Sequence, residues 1–273
     1  MGQNGVVPWL LITNDDGVDS PALVPLMEAL QTIARVQVVV PDRERSWIGK
    51  AITRHDPVVV EQTDRGGVSI TTTSGYPADC VQLGIHSLFP EPPVLVVSGI
   101  NIGYNHGSGY IQSSGTVGAA MEALLATVPA MAVSAGSHSR PWPEWRQWVH
   151  SPEAVEMWQR LATISADLVG RLLSAEPPRM VVNVNLPDDA QMETRRTITT
   201  VADVGYDRLF RADGDDDGRY VHDFGGGLRQ FSGLEGTDVE AAAAGEISIS
   251  PVTPSGGGTF PVGFDQLLSA QPS

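Results

Sequence analysis

Along this chain, short runs of consecutive apolar, mostly β-branched residues alternate with stretches whose apolar positions recur every three or four residues. The first pattern suits strands buried on both faces of a sheet, and the second suits amphipathic helices packed over it. Their alternation is that of βαβ units around a parallel sheet. Five runs read as such strands: Trp9 to Thr13, Val36 to Val40, Leu95 to Val97, Ala130 to Val133 and Met180 to Val184. Val58 to Glu61 and Val68 to Thr72 read as an antiparallel pair, and Ile247 to Pro251 as one more strand.

Between the first two strands, Ser20 is placed as an N-cap and Pro21 as the first helical residue. Pro25 should distort that helix's first turn, because it lacks a backbone N–H. Further helices are expected over Ala78 to Leu88, over Gly115 to Thr127, and from Ser151 onward. In the last of these Val155, Trp158, Leu161, Leu168 and Leu172 keep one face apolar, and that face should be core. The fold class is therefore α/β with a mostly parallel sheet.

Beyond Val201 the chain turns rich in glycine and aspartate before the final strand. So long a stretch with little regular pattern is either mobile or held by something else, and a partner subunit is the expected support. From Ser255 the sequence reads as a linker-like tail. The organisation is thus a core over 1–202, an arm and strand over 203–252, and a flexible tail over 253–273.

Composition narrows the function. Of 273 residues, 32 are acidic and 17 basic, a net charge of −15, and Lys50 is the only lysine. Duplex nucleic acid and anionic membranes are gripped by basic patches, and none is present, so neither is an expected partner. The single cysteine, Cys80, excludes an internal disulfide and a cysteine-built zinc site, and in its apolar helix it should be buried and inert. No run approaches the length of a membrane span, and the start lacks a basic segment ahead of an apolar one. A cytoplasmic protein is expected.

The candidate chemistry sits at the strand ends. The first strand ends in Asn14, Asp15, Asp16 and Gly17, the second leads through Asp42 and Arg43 to Ser46, and the third ends at Asn101. In open α/β sheets ligands bind outside the carboxyl ends of the strands, so these tips should share one crevice. Two adjacent carboxylates there repel unless a cation lies between them. Asp15, Asp16, Ser46 and Asn101 offer oxygen donors only, which suit Mg2+, Mn2+ or Ca2+ rather than zinc. The histidines, at positions 55, 86, 106, 138, 150 and 222, show no metal-binding spacing. Taken alone, Asp15 and Asp16 equally suit a strand-to-helix turn, and Asn101 a turn asparagine.

The glycine-rich stretch from Gly99 ends where a helix begins, with Ser114 as N-cap and Gly115 and Thr116 in the first turn. Free N–H groups at a helix start form an anion site. By itself this is an ordinary capped helix after a loop. Beside the carboxylates it points to phosphate as the group acted on.

Together, NDDG at 14–17, PDRERS at 41–46, AIT at 51–53, GYPADCV at 75–81, SGINIGYN at 98–105, SGTVGAAMEA at 114–123, NVNLP at 183–187 and TDVEAAAAGEISISP at 237–251 resemble the SurE family, the survival-protein nucleotidases. The resemblance implies a Rossmann-like three-layer core with an extended C-terminal arm for oligomerisation. It also implies a divalent-metal-dependent phosphatase, a 5'-nucleotidase acting on nucleoside monophosphates and in some cases on 3'-nucleotides and polyphosphate. It implies a homodimer or homotetramer with exchanged C-terminal segments, one metal ion per subunit on Asp15, Asp16, Ser46 and Asn101, and phosphate near Asn105, Ser114, Gly115 and Thr116. Asp16 and Asp15 are the candidates to handle the attacking water. The chain departs from the family pattern at Trp47 and Ala123, where glycine is usual, at Ser113, where tyrosine is frequent, and at Tyr76, where threonine is usual. Trp47 beside Ser46 reshapes the substrate pocket and offers a stacking surface for a base.

Smaller signals remain. Lys50 reads as a solvated loop residue, or one that meets phosphate. Trp142, Trp145 and Trp148 fall in a stripe that is either packing or, if exposed, a lid or subunit contact. The acidic run at Asp213, Asp215, Asp216 and Asp217 reads as a solvated turn, and Arg219 and Tyr220 as residues that could reach a neighbouring subunit. Rival readings are a noncatalytic metal-dependent nucleotide sensor and a scaffold protein; only a hydrolase releases phosphate.

Overall fold

All five apolar runs are strands of one sheet. The structure, a computed structural model, describes residues 8–254 except 66, 176, 215–217 and 224–226. The expected tail from Ser255, and Asp215, Asp216 and Asp217, lie outside the described residues. In chain order the elements are β1 (Trp9–Thr13), α1 (Leu23–Gln31), β2 (Arg35–Pro41), β3 (Val60–Arg65), β4 (Val68–Thr73), α2 (Pro77–His86), β5 (Leu95–Ile102), α3 (Gly107–Ser113), α4 (Gly115–Leu125) and β6 (Ala130–Gly136). There follow α5 (Trp142–Trp148), a 3-10 turn at Pro152–Ala154, α6 (Val155–Leu173), β7 (Val181–Pro187), β8 (Arg196–Ile198), β9 (Val204–Tyr206), β10 (Phe210–Ala212), β11 (Tyr220–His222), β12 (Leu228–Gln230), α7 (Asp238–Ala243) and β13 (Ile247–Val252).

The main sheet has nine strands in the order β3-β4-β2-β1-β5-β6-β7-β13-β8. The six from β4 to β7 run parallel, while β3 and β13 are antiparallel to their inner neighbours. Alternate side chains of a strand face opposite sides, and β1 shows the result. Leu10 and Ile12 enter a core with Leu26 and Leu30 of α1 and Leu161 and Ile164 of α6. Trp9 and Leu11 enter a second core with Val81 and Ile85 of α2 and Val117 and Leu124 of α4. Helices on both faces explain why the strands read as unbroken apolar runs, and each buried Leu or Ile contributes about 1.5–3 kcal/mol. The architecture is the α/β sandwich expected. Cys80 lies in the second core with its thiol pushed up to about 12 by burial, as its apolar helix suggested.

Local differences have local causes. α1 starts at Leu23, after a turn in which the Leu23 N–H donates to the Ser20 carbonyl. Pro25 then falls in the first turn, where its missing N–H has no intrahelical partner to lose, and the helix accommodates it. Part of the glycine-rich stretch, read as loop, is the helix α3. Past 201 there is more order than expected. β9 to β12 form two separate two-stranded sheets, and α7 is capped by Thr237, whose hydroxyl oxygen accepts from the Glu240 N–H. Among the described residues, no helix is long and apolar enough to cross a membrane.

Candidate active site

β1 and β5 are adjacent, but the chain leaves β1 toward β2 on one side and β5 toward β6 on the other. Such a reversal opens a crevice at the carboxyl ends of the two strands. A cleft of about 890 Å³ lies there, and Asp15, Asp16, Ser46, Asn101, Asn105 and Ser114 all line it.

Backbone and side-chain bonds lock the tips together. The Asn14 amide both donates to the Gly17 carbonyl and accepts from the Gly17 N–H, each at 3.0 Å, closing the turn that carries the two aspartates. The Arg45 N–H donates to the Asp15 carbonyl at 2.7 Å, which brings the loop of Ser46 against the β1 tip. Asp16 Oδ2 accepts the Ile102 N–H at 3.0 Å, tying β1 to β5. The pairing of β5 with β6 shifts register between Ser98 and Asn101, around Gly99. A Cβ on Gly99 would lie 2.2 Å from the Val133 carbonyl oxygen, and its φ of +139° is closed to other residues, so only glycine permits this bend.

Each expected site residue can now be placed. Asn101 donates through Nδ2 to the Gly103 carbonyl at 2.7 Å, which fixes the amide and leaves Oδ1 as its acceptor. Ser46 is exposed and donates to Glu44 Oε1 at 2.7 Å, and Glu44 pairs with Arg146 of α5 at 3.4 Å. Ser114 caps α4, its hydroxyl oxygen accepting the Val117 N–H at 3.0 Å. A Cβ on Gly115 would meet Asp15 Oδ2 at 2.9 Å, so the bare glycine lets the helix start abut the carboxylate. Thr116 is buried and does not line the cleft; its hydroxyl donates to Asp15 Oδ1 at 2.5 Å, which makes it a positioning group for that carboxylate.

The electrostatics follow from burial. Asp15 is pushed up to about 6, chiefly by burial and against the Thr116 hydrogen bond. Asp16 is raised well above the usual carboxylate range, first by burial and then by the charge of Asp15. Two neighbouring carboxylates that resist ionisation, beside a serine and an asparagine oxygen, form a donor set that fits a hard divalent cation. Another cluster, His138 with Asp188 and Asp189, lies off the cleft, and Arg140 already pairs with Asp188 at 3.0 Å.

Several supporting residues carried no role in the sequence reading. Asn105 is held from every side: its N–H donates to Asn185 Oδ1 at 2.8 Å, its Nδ2 to Ser134 Oγ at 2.8 Å, and its carbonyl accepts from Asn183 Nδ2 at 2.8 Å. Asparagines inside the apolar run of β7 were the available signal, since buried amides need partners. Asp238 is buried and accepts the N–H groups of Gly107 and Ala202, each at 2.9 Å, and of Val239 at 3.0 Å. Asp79 holds both the N–H and the hydroxyl of Thr53, explaining the paired AIT and GYPADCV motifs. Lys50 is an exposed loop residue, as the solvated reading expected, and not one that faces the cleft. It pairs with Glu122 of α4, which Gln82 of α2 also reaches. Of the tryptophan stripe, Trp145 is buried, Trp142 is exposed at the cleft, and Trp148 packs under Arg140.

Comparison with known proteins bears on this geometry. The family model described as survival protein SurE matches residues 10–208. The 5'-nucleotidase SurE of Geobacter sulfurreducens is 39% identical over 247 residues, 89% of this chain and 87% of its own length. That of Geobacter metallireducens is 38% identical over 89% of this chain and 90% of its own. The crystal structure of the SurE protein from Aquifex aeolicus superposes with a TM-score of 0.71 at 31% identity, covering 96% of this chain and 98% of that one. With the motifs, the family model, these relatives and the structural superposition in agreement, the chain belongs to the SurE family.

Proposed function

We propose that this chain is a divalent-metal-dependent 5'-nucleotidase that hydrolyses nucleoside 5'-monophosphates to nucleoside and phosphate. The observation that carries the reading is the adjacent pair Asp15, buried, and Asp16, half-buried, at the switch point, facing a cleft with Ser46 and Asn101. The names of the Geobacter relatives agree with it.

In this reading Asp15, Asp16, Ser46 and Asn101 hold one Mg2+ or Mn2+. When bound, such an ion supplies Lewis-acid polarisation of the phosphoryl group and activation of water. The chain's own residues do the rest. The start of α4 at Ser114 and Gly115 offers N–H groups to the phosphate oxygens, where the helix dipole favours negative charge. Asn105, immobilised by Asn183, Asn185 and Ser134, orients the phosphate without reorganising during the reaction. Thr116 fixes the rotamer of Asp15, and the Ile102 N–H fixes that of Asp16, whose second oxygen is left to orient the attacking water. The core over 1–202 carries this chemistry, and the arm over 203–252 completes a cytoplasmic homodimer or homotetramer.

The test is phosphate release from AMP and GMP, then from 3'-nucleotides and polyphosphate, with added Mg2+ or Mn2+. Release should stop with EDTA and return with excess Mn2+. Metal-dependent AMP binding without any release would replace the hydrolase by a nucleotide sensor.

A further inference from the structure

Trp47 follows Ser46 directly and holds a φ of +60°, a left-handed backbone that side-chain-bearing residues rarely adopt. Among the described residues, only Thr127 shares that feature without being glycine. What this conformation produces is a placed indole. The Trp47 ring centroid lies 5.9 Å from that of Tyr110 on α3, 5.3 Å from that of Tyr206 on β9 and 5.3 Å from that of His222 on β11. Rings on three elements thus converge on one side chain, yet 37% of Trp47 stays exposed, and Trp47, Tyr110 and His222 line the same cleft as Asp15 and Asp16.

An aromatic wall beside a polar site asks for a ligand with an anionic end and a flat heterocyclic end. Stacking on an aromatic face favours a planar base and tolerates its identity, because every base has a π-face. Trp47 is one residue from Ser46, so a phosphoester seated at the polar end carries its organic group along the indole. Resting on the nucleotidase reading above, we propose that Trp47, backed by Tyr110 and His222, is the specificity-determining residue that stacks on the nucleobase and separates nucleotides from base-free phosphomonoesters. The aromatic wall draws on both the core and the arm, so the arm shapes the substrate pocket of its own chain.

The experiment compares kcat/KM for AMP and for ribose 5-phosphate in the wild type, Trp47→Gly and Trp47→Phe, with Mn2+ present. Glycine accepts the positive φ, so that variant should fold. The AMP to ribose 5-phosphate ratio should fall about tenfold in Trp47→Gly and recover to within about threefold in Trp47→Phe. An unchanged ratio, or equal losses on both substrates, would overturn the stacking role and leave Trp47 as a packing contact for the arm. Wild-type enzyme that releases phosphate from neither substrate would instead sink the nucleotidase reading, and this inference with it.

Discussion

At the β1–β5 tip, Asp15 and Asp16 follow a strand with every residue buried and are tied by bonds to β5, α4 and the loop after β2. In the arm, β9 to β12 are three residues each and pair only with one another. Phe210, Tyr220 and Phe231 there are 54%, 68% and 60% exposed. Isolated two-stranded pairs are marginal in water, so the arm is placed by a few anchors and the tip by the whole sheet. The anchors are visible: Asp238 grips Ala202 and Gly107, Ser108 Oγ donates to the Val204 carbonyl at 2.8 Å, and Trp47 meets Tyr206 and His222. Precision comes from burial in one region and from single contacts in the other. A substitution at the tip should therefore change chemistry while the fold stands, and one at an anchor should loosen structure first.

The sharpest break of that contrast would come at Asp16. Asp16→Asn should lower phosphate release on the order of a thousandfold or more, because it removes the charge that the cation requires. Its urea midpoint should not fall, since folding already opposes ionisation of that carboxylate. Near-native turnover in this variant would end the assignment.

Asp238→Ala probes the other region. It strands buried N–H groups of Gly107 and Ala202 and should cost about 2–4 kcal/mol in a urea melt. Limited proteolysis should then cut between 203 and 231 faster than in wild type. A melt and a cleavage rate like those of wild type would show that the arm does not hang on this residue.

The smallest expected effect refines the comparison at the point where tip and arm touch. Trp47→Ala and Trp47→Gly both lose the ring contacts, but only alanine keeps the cost of the left-handed backbone. The glycine variant should be the more stable of the two by about 1 kcal/mol in matched melts. The reverse order would mean that the positive φ carries no strain.

What could be read without coordinates divides along the same line. The five buried strands, and the carboxylates at their ends, were legible because a doubly covered sheet leaves an unbroken apolar signature and the site lies at strand ends by topology. The order past 201 was not, because Asp238, Thr237 and the paired three-residue strands depend on contacts between residues far apart in the chain. α3 was hidden by Gly107 and Gly109, whose poor helix propensity reads as loop until tertiary packing overrides it. The partners of Lys50 and Thr116 were not legible either, since sequence distance does not reveal that Glu122 and Asp15 receive them.

The burial of Cys80 has a practical side. A thiol pushed up to about 12 stays protonated and unreactive at ordinary pH, and it is the only one in the chain. Tyr220→Cys would therefore take a fluorescent label at one defined point of the arm without any background from the native residue. Paired with the intrinsic indole emission, that dye would let an observer watch the segment settle or lift in solution as nucleotide is added.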